Sequence, residues 1–382
     1  MFGFKQFVPL ITEETKSRGI QHLPHPFESA FHAKKGAVAS SLSKIQGVIS
    51  GRTPITRKID DRMSFQVSKT SEGKVGVKYK GPGAQYNYSA DDIKKQYSKK
   101  PYVAGPLMNI LKHVHKVLPE GEGEYQGGYL SSLEDRKEED GQISHTPNTI
   151  KYSVAKNTPE GKKLAKAPLS IALHSRITAG GKTVPIQADE LKDHPDVHVM
   201  SHVVSSEERK IPPEAKRKAL EHIAAAKKLS KSHTTEHLTG HEETLQRYAN
   251  STIDTGEKPS VKGYKRFLEK YHQKRIDSVK TEKAKNQKAE EMRAAINHVN
   301  DNLDKFDRTF DVHHHLQQAT YAVADSLSKT AHGGYSHHID GEEAAGEGFV
   351  SNGMKFVPRK FTEANRKRSA IFKAQKAQKS VI

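Results

Sequence analysis

The chain has 382 residues and a formal charge of +18, from 63 Lys and Arg against 45 Asp and Glu. It contains no cysteine, which excludes disulfides and thiolate metal sites. No apolar run reaches the roughly 18 residues that a membrane span needs. With a mean hydropathy of −0.78 and a pI near 9.6, this is a polar, basic chain. Its charge favours a polyanionic partner, because each neutralised phosphate releases counterions. The opening Met1–Leu10 is too polar and too short for a signal peptide.

Residues 1–50 form an N-terminal extension: a short amphipathic start, a stretch with Pro24 and Pro26, then a helix over Ala37–Ile49 with Val38, Leu42, Ile45 and Val48 on one side. Gly51-Arg52-Thr53-Pro54 ends it, and the pattern turns to strand from Ile55. Lys74–Lys80 is a second strand, paired with the first across Thr70-Ser71-Glu72-Gly73. Ser89 is placed as the N-cap of the next helix, with Asp92 three residues on. A further helix is predicted over Pro106–Val117, a glycine-spaced strand over Gly121–Leu130, and a polar loop over Glu134–Gly141. Three more strands follow, at Thr149–Val154, Leu169–His174 and Val197–Met200. Pro212-Pro213 marks a boundary. Residues 211–332 read as helices, with Leu220, Ile223 and Ala224 opening one apolar face, and with Lys280–Glu291 as a solvated stretch. After Gly333-Gly334 the strand signal returns as a hairpin, Gly348–Val350 and Lys355–Val357 around Asn352-Gly353. A basic tail ends the chain. Strands with interposed helices predict an α+β fold.

The residues that carry chemistry stand at the two ends of this pattern. Lys58-Ile59-Asp60-Asp61-Arg62 heads the first strand, and Asp60, two residues on, is predicted to share a face with Lys58. An amine nucleophile must be partly deprotonated, by burial or by nearby cations such as Arg57 and Arg62. Far away lie Glu347-Gly348-Phe349-Val350 and Met354-Lys355-Phe356-Val357. Gly123-Glu124-Tyr125 supplies an acid on a strand. The runs His313-His314-His315 and His337-His338 read as solvated or nucleic-acid-facing side chains rather than a metal site, since adjacent histidines on a helix point different ways and cannot all reach one ion.

In order and wording these motifs resemble the first, third, fourth and fifth motifs of the covalent nucleotidyltransferases, the superfamily of ATP-dependent DNA and RNA ligases and capping enzymes. More narrowly, the chain resembles an uncharacterised family of ligase-like proteins encoded by tailed bacteriophages. The likeness covers about residues 50–205 and 335–372, and includes Val77–Gly83 and Tyr86–Ile93. Thr146–Tyr152 and Ile171–Ser175 also resemble blocks of the phage family; they are read as buried strands. The superfamily's first motif is K-x-D-G, and Asp61 stands where glycine is expected. The phage pattern Q-G-D-L falls on Gln126-Gly127-Gly128-Tyr129, where the acid is missing.

The resemblance implies an adenylation core of antiparallel sheets, ATP-grasp-like, over residues 51–210. A helical insertion (211–332), a final hairpin (333–372) and a basic tail (373–382) would follow. It implies ATP and Mg²⁺ as cofactors, with Lys58 as nucleophile, Asp60 and Glu347 at the metal, and Lys355 on the α-phosphate. Arg62, Lys80, Glu124 and Glu347 would contact the nucleotide. It also implies RNA or DNA as partner, held by insertion lysines such as Lys227, Lys228, Lys231 and those of Lys262–Lys288, and no membrane. The setting would be the host cytoplasm or the virion. A second reading remains open: a nucleic-acid-binding or virion protein with the same fold and no chemistry.

Overall fold

The computed structural model describes residues 23–81, 83–186, 188–232 and 234–367. The amphipathic start, Pro82 of the second phage-like block and the 373–382 tail lie outside the described residues.

A short 3-10 turn, Pro26–Phe31, leads to α1 (Ala37–Ile49), which buries Val38, Leu42, Ile45 and Val48 as its 3.6-residue spacing requires. Strand β1 (Thr56–Lys58) is brief, and β2 (Met63–Lys69) turns through residues 70–73 into β3 (Val75–Tyr79). Ser89 caps α2 (Ala90–Gln96), accepting a hydrogen bond from the Asp92 backbone N–H at 3.1 Å. Helix α3 (Pro101–His113) starts five residues before the predicted position. Pro101 explains this: its fixed φ and missing N–H suit the first helical turn, and Pro106 is then carried inside the helix. Strand β4 (Gly123–Ser131) follows.

The predicted polar loop 134–141 is instead most of a hairpin, β5 (Arg136–Glu139) and β6 (Gln142–His145). Its signal was Asp140-Gly141, both at positive φ, the requirement of a tight two-residue hairpin turn. Strand β7 (Lys151–Ala155), helix α4 (Pro159–Lys166) and strands β8 (Leu169–Ile177), β9 (Thr183–Pro185) and β10 (Val197–Val199) come next. Five helices occupy the predicted helical region: α5 (Pro213–Ser230), α6 (Glu242–Thr255), α7 (Val261–Asp277), α8 (Glu282–Asp301) and α9 (Leu303–Leu327). On α5 the buried side is Ala219, Ile223 and Ala226, while Leu220 stands exposed. The chain ends in the hairpins β11 (Ser336–Ile339) with β12 (Glu342–Glu343), around Asp340-Gly341, and β13 (Gly348–Ser351) with β14 (Met354–Phe356), around Asn352-Gly353. A last helix begins at residue 359.

Among the described residues the strands form three sheets: β10-β8-β4-β2-β3 with β9 on β8, β12-β11-β7-β6-β5, and β1-β13-β14. The result is a mixed α/β protein whose strand pairs, among those residues, are antiparallel except for β8 with β10. Helix α9 joins the parts. Phe306 and Phe310 in its first half lie in an aromatic core with Tyr248 and Tyr264 of α6 and α7. Leu316, Val323 and Leu327 in its second half pack with α1, α5 and Phe349, Met354 and Phe356 of the last hairpin. The predicted extension, insertion and hairpin therefore share one apolar core. His313 sits inside α9, stacked on Phe31 at 4.7 Å and fully buried, so it is not a solvated histidine; burial pushes its pKa down to about 3. Among the described residues no helix is long and apolar enough to cross a membrane.

Gly348 marks a close approach within this last hairpin. Its φ is +138°, and a β-carbon there would lie 3.1 Å from Val357 Cα and closer still to the Phe356 carbonyl oxygen. Gly348→Ala is expected to destabilise the protein by roughly 3 kcal/mol or more, against about 1 kcal/mol for Gly353→Ala, whose β-carbon would meet open space. Denaturant unfolding of the two variants checks the difference.

Candidate active site

Three short strands bring the remote motifs together. In the β1–β13 ladder Lys58 lies opposite Gly348 and Thr56 opposite Val350, and in the β13–β14 ladder Val350 lies opposite Lys355. Side chains alternate across a strand, so Thr56, Lys58, Val350 and Lys355 share one face of this sheet, and Phe349 and Phe356 point the other way into the core. Lys58 Nζ contacts Glu347 Oε1, a pair separated by 289 positions in sequence. The lysine side chain keeps partial access to solvent; the carboxylate is largely covered.

This face forms one wall of a cleft of about 2100 Å³. The floor is the polar side of the largest sheet. Ser64, Gln66 and Ser68 of β2 stand opposite Gly128, Gln126 and Glu124 of β4, and His174 and Ser175 of β8 continue it. Lys80, just past β3, and Asp61 also line it. Phe27, Tyr321, Phe361 and Arg366 close another side.

Burial dominates the electrostatics. It raises the Glu347 carboxyl to about 7 although Lys58 beside it pulls the other way. It raises Asp61 too, against the Ser64 hydroxyl and Lys58. Lys80 is lowered to about 8 by burial, with Lys58 adding to the effect and Asp61 opposing it. Burial also lowers Lys355, partly offset by Glu28. His174 is neutral, its pKa lowered to about 3 by burial and then by Lys80.

The structure thus gathers Lys58, Glu347, Lys355, Lys80 and Glu124 at one cleft. Asp60 does not join them. Strand β1 ends at Lys58, so the parity that would place Asp60 beside the lysine is lost. Its carboxylate is 5% exposed and accepts from Asn148 Nδ2 at 3.0 Å and from the backbone N–H of Thr149 and Ile150 at 2.5 and 2.9 Å. Asp60 clasps the 148–150 segment, and Asp61 faces the cleft instead. Arg62 pairs with Asp135 at 2.9 Å and does not line the cleft. Arg57 is likewise engaged, by Glu208 and by the Ala331 carbonyl at 2.9 Å. Glu124 lines the far end: four residues from Gly128, it lies roughly 13 Å along the strand at about 3.3 Å per residue.

Two segments expected as buried strands, 146–152 and 171–175, bear on the site, one by holding Asp60 and the other by presenting His174. The lysines predicted to hold nucleic acid, Lys227, Lys228, Lys231 and those of 262–288, do not line the cleft; the helical region contributes Ile253 and Tyr321. Among the described residues no group of three or more His, Asp or Glu is arranged to hold a metal ion.

Two measurements separate these roles. Asp60→Asn replaces an acceptor of three hydrogen bonds by a side chain with its own donor, so it is expected to cost roughly 2–4 kcal/mol of stability. Asp61→Asn is expected to stay within about 1 kcal/mol, since burial raises the Asp61 carboxyl and so offsets part of what its charge gains from Ser64 and Lys58. For Glu347 the folded pKa lies above the unfolded one, so the folded state binds the proton more tightly. That stability is present below pH 4.5 and is lost as pH rises through about 7. Unfolding at pH 5 and pH 8 should therefore show Glu347→Gln gaining stability relative to wild type at the higher pH.

A model of a protein family described as a family of unknown function (DUF6267) matches residues 74–369, more than three quarters of the chain. The match includes Lys80, Glu347 and Lys355, and begins after Lys58. No curated protein and no solved structure matches the chain.

Proposed function

The chain therefore belongs to this family of unknown function, and from its own geometry we propose that the cleft is a covalent nucleotidyltransferase centre of ligase type. The observation that carries the reading is the convergence of Lys58 and Lys355, on one face of the β1-β13-β14 sheet, with Glu347 in contact with Lys58 at the same cleft. An amine, a carboxylate and a second amine, brought from both ends of the chain to one cleft, are what nucleotidyl transfer through lysine needs. The order of motifs along the chain and their likeness to phage ligase-like proteins support it, with the nucleotidyltransferase core as the finer description of the fold.

The Lys58 nitrogen would attack the α-phosphorus of ATP. A nitrogen–phosphorus bond forms, the bond to the bridging oxygen of the β-phosphate breaks, and pyrophosphate leaves with that electron pair. The amine must first lose a proton, and Glu347, in contact with it and titrating near neutrality, is placed to accept that proton. Lys355 would neutralise charge developing on the α-phosphate. In the second half, an oxygen of a nucleic-acid 5′-phosphate attacks the same phosphorus, and the lysine leaves and regains its proton. Mg²⁺ fits this site. It requires only one or two carboxylates besides phosphate oxygens, and Glu347 is a buried carboxyl that its lysine only partly compensates. When bound, it would neutralise charge on the triphosphate.

Small-molecule sites usually occupy about 300–1000 Å³, so a cleft of about 2100 Å³ leaves space beside the nucleotide for an acceptor end. Lys69, Arg176 and Arg366, which line the cleft, would contact its phosphates in place of the helical lysines. The setting implied is that of a phage protein acting in the host cytoplasm.

Incubation with ATP labelled at the α-phosphate, plus Mg²⁺, tests this. Wild type should acquire about one label per chain, Lys58→Ala none, and Lys355→Ala at least 100-fold less. GTP in parallel decides the base, and RNA or DNA 5′-phosphates the acceptor. An unlabelled wild type that still binds nucleic acid in a salt-sensitive way would replace the enzyme by a binding protein of the same fold.

A further inference from the structure

The sequence departs from its resemblance at two positions, Asp61 and Gly128, and the fold puts them in contact. A β-carbon built on Gly128 would lie 2.8 Å from Asp61 Cγ and closer to Asp61 Cβ, so no larger residue fits at 128 while Asp61 holds its place. The contact has a structural cause. The Arg62 N–H bonds to the Tyr129 carbonyl at 3.0 Å, which lays residues 61–62 along β4. Ser64, opposite Gly128 in the ladder, donates its hydroxyl to Asp61 Oδ2 at 2.9 Å. The carboxylate is thereby folded over the bare backbone at 128 and turned into the cleft. It does not lie where Glu124 could replace it.

We propose that Asp61 and Gly128 are a matched pair, in which Asp61 supplies from the β1–β2 connection the floor carboxylate that β4 lacks and acts as the positioning residue for Lys80 and Lys58. The proposal rests on the nucleotidyltransferase reading for what those lysines hold, the phosphates of the nucleotide. The placement itself stands on geometry. Two lysines facing one cleft repel, and burial lowers Lys80 further. Ser64 brings the two together: its hydroxyl holds the Asp61 carboxylate at 2.9 Å and its carbonyl accepts from the Lys80 backbone N–H at 3.1 Å, so Asp61 is the acid that attracts Lys80 against burial and Lys58. The other charged or titratable groups here are Asp60 beside Asp61, Glu347 across from Lys58, and His174, which stays neutral. Asp60 is occupied by the 148–150 segment and Glu347 by Lys58, which leaves the pairing with Lys80 to Asp61.

The exchange can be run in reverse. Lysine titration is read by amine-specific chemical labelling at a series of pH values, with peptide mass analysis, on wild type, Asp61→Gly, Gly128→Ala and Asp61→Gly with Gly128→Asp. The Lys80 titration should move down by about one pH unit in Asp61→Gly and return to within about 0.3 unit in the double variant, by the charge argument above. Gly128→Ala, which displaces the carboxylate, should move it the same way as Asp61→Gly. An unmoved Lys80 titration in a folded Asp61→Gly, or a double variant that behaves like it, would overturn the pairing whatever the protein's activity. The α-phosphate label, measured on the same proteins, should fall at least 10-fold in Asp61→Gly and recover to within about 3-fold in the double variant. An unlabelled wild type would count against the nucleotidyltransferase reading alone, because the lysine titrations require no nucleotide.

Discussion

The pairing of Thr56–Lys58 with Gly348–Val350 is the contact on which the rest of the molecule depends. It closes a loop of nearly 300 residues with a three-residue strand. Such a closure is stable only because both flanks are fixed elsewhere. On one side β13 and β14 present Phe349 and Phe356 to the core that α1, α5 and α9 share. On the other, Asp60 ties the end of β1 to the 148–150 segment, and Arg57 ties its middle to Glu208 and the corner after α9. The lysine between these two anchors has little freedom in where its backbone sits.

That explains how a polar, basic chain fixes the position of Lys58. Arg57 and Asp60, flanking Lys58, are fixed by an ion pair and hydrogen bonds, and Lys58 itself meets a carboxyl that burial raises to about 7. The cleft opposes two tendencies. Burial drives Lys80 and Lys355 toward the neutral amine and Glu347 and Asp61 toward the neutral acid, while their mutual attraction restores charge to both. A ligand rich in phosphate would tip the balance toward the charged lysines.

Much of this was legible in the sequence. Helix α1, the β2–β3 hairpin and the last hairpin lie close to their predicted places, because apolar spacing and the Asn352-Gly353 turn are local signals. The Glu347-Gly348 dipeptide has a local reason too, since only glycine tolerates the backbone at 348. Other features depend on partners remote in sequence. Strand parity assigned Asp60 to the cleft because nothing in Lys58-Ile59-Asp60 shows that the strand stops at Lys58 or that the amides of residues 149 and 150 claim the carboxylate. Asp61 and Gly128 each looked like a defect, and only the β2–β4 register shows that one accommodates the other. The charge-rich β5–β6 hairpin was hidden by its composition, although Asp140-Gly141 marked its turn. His313 could not be told from its exposed neighbours without the helix face that buries it.

The central claim is that this cleft makes a bond between Lys58 and a nucleotide. Peptide mass mapping after incubation with ATP and Mg²⁺ tests it most directly, because it locates the adduct as well as detecting it. The account predicts an acid-labile increment of one AMP on the peptide carrying Lys58, and on no peptide carrying Lys80 or Lys355. An adduct on either of those lysines, or none on a folded protein, would contradict it.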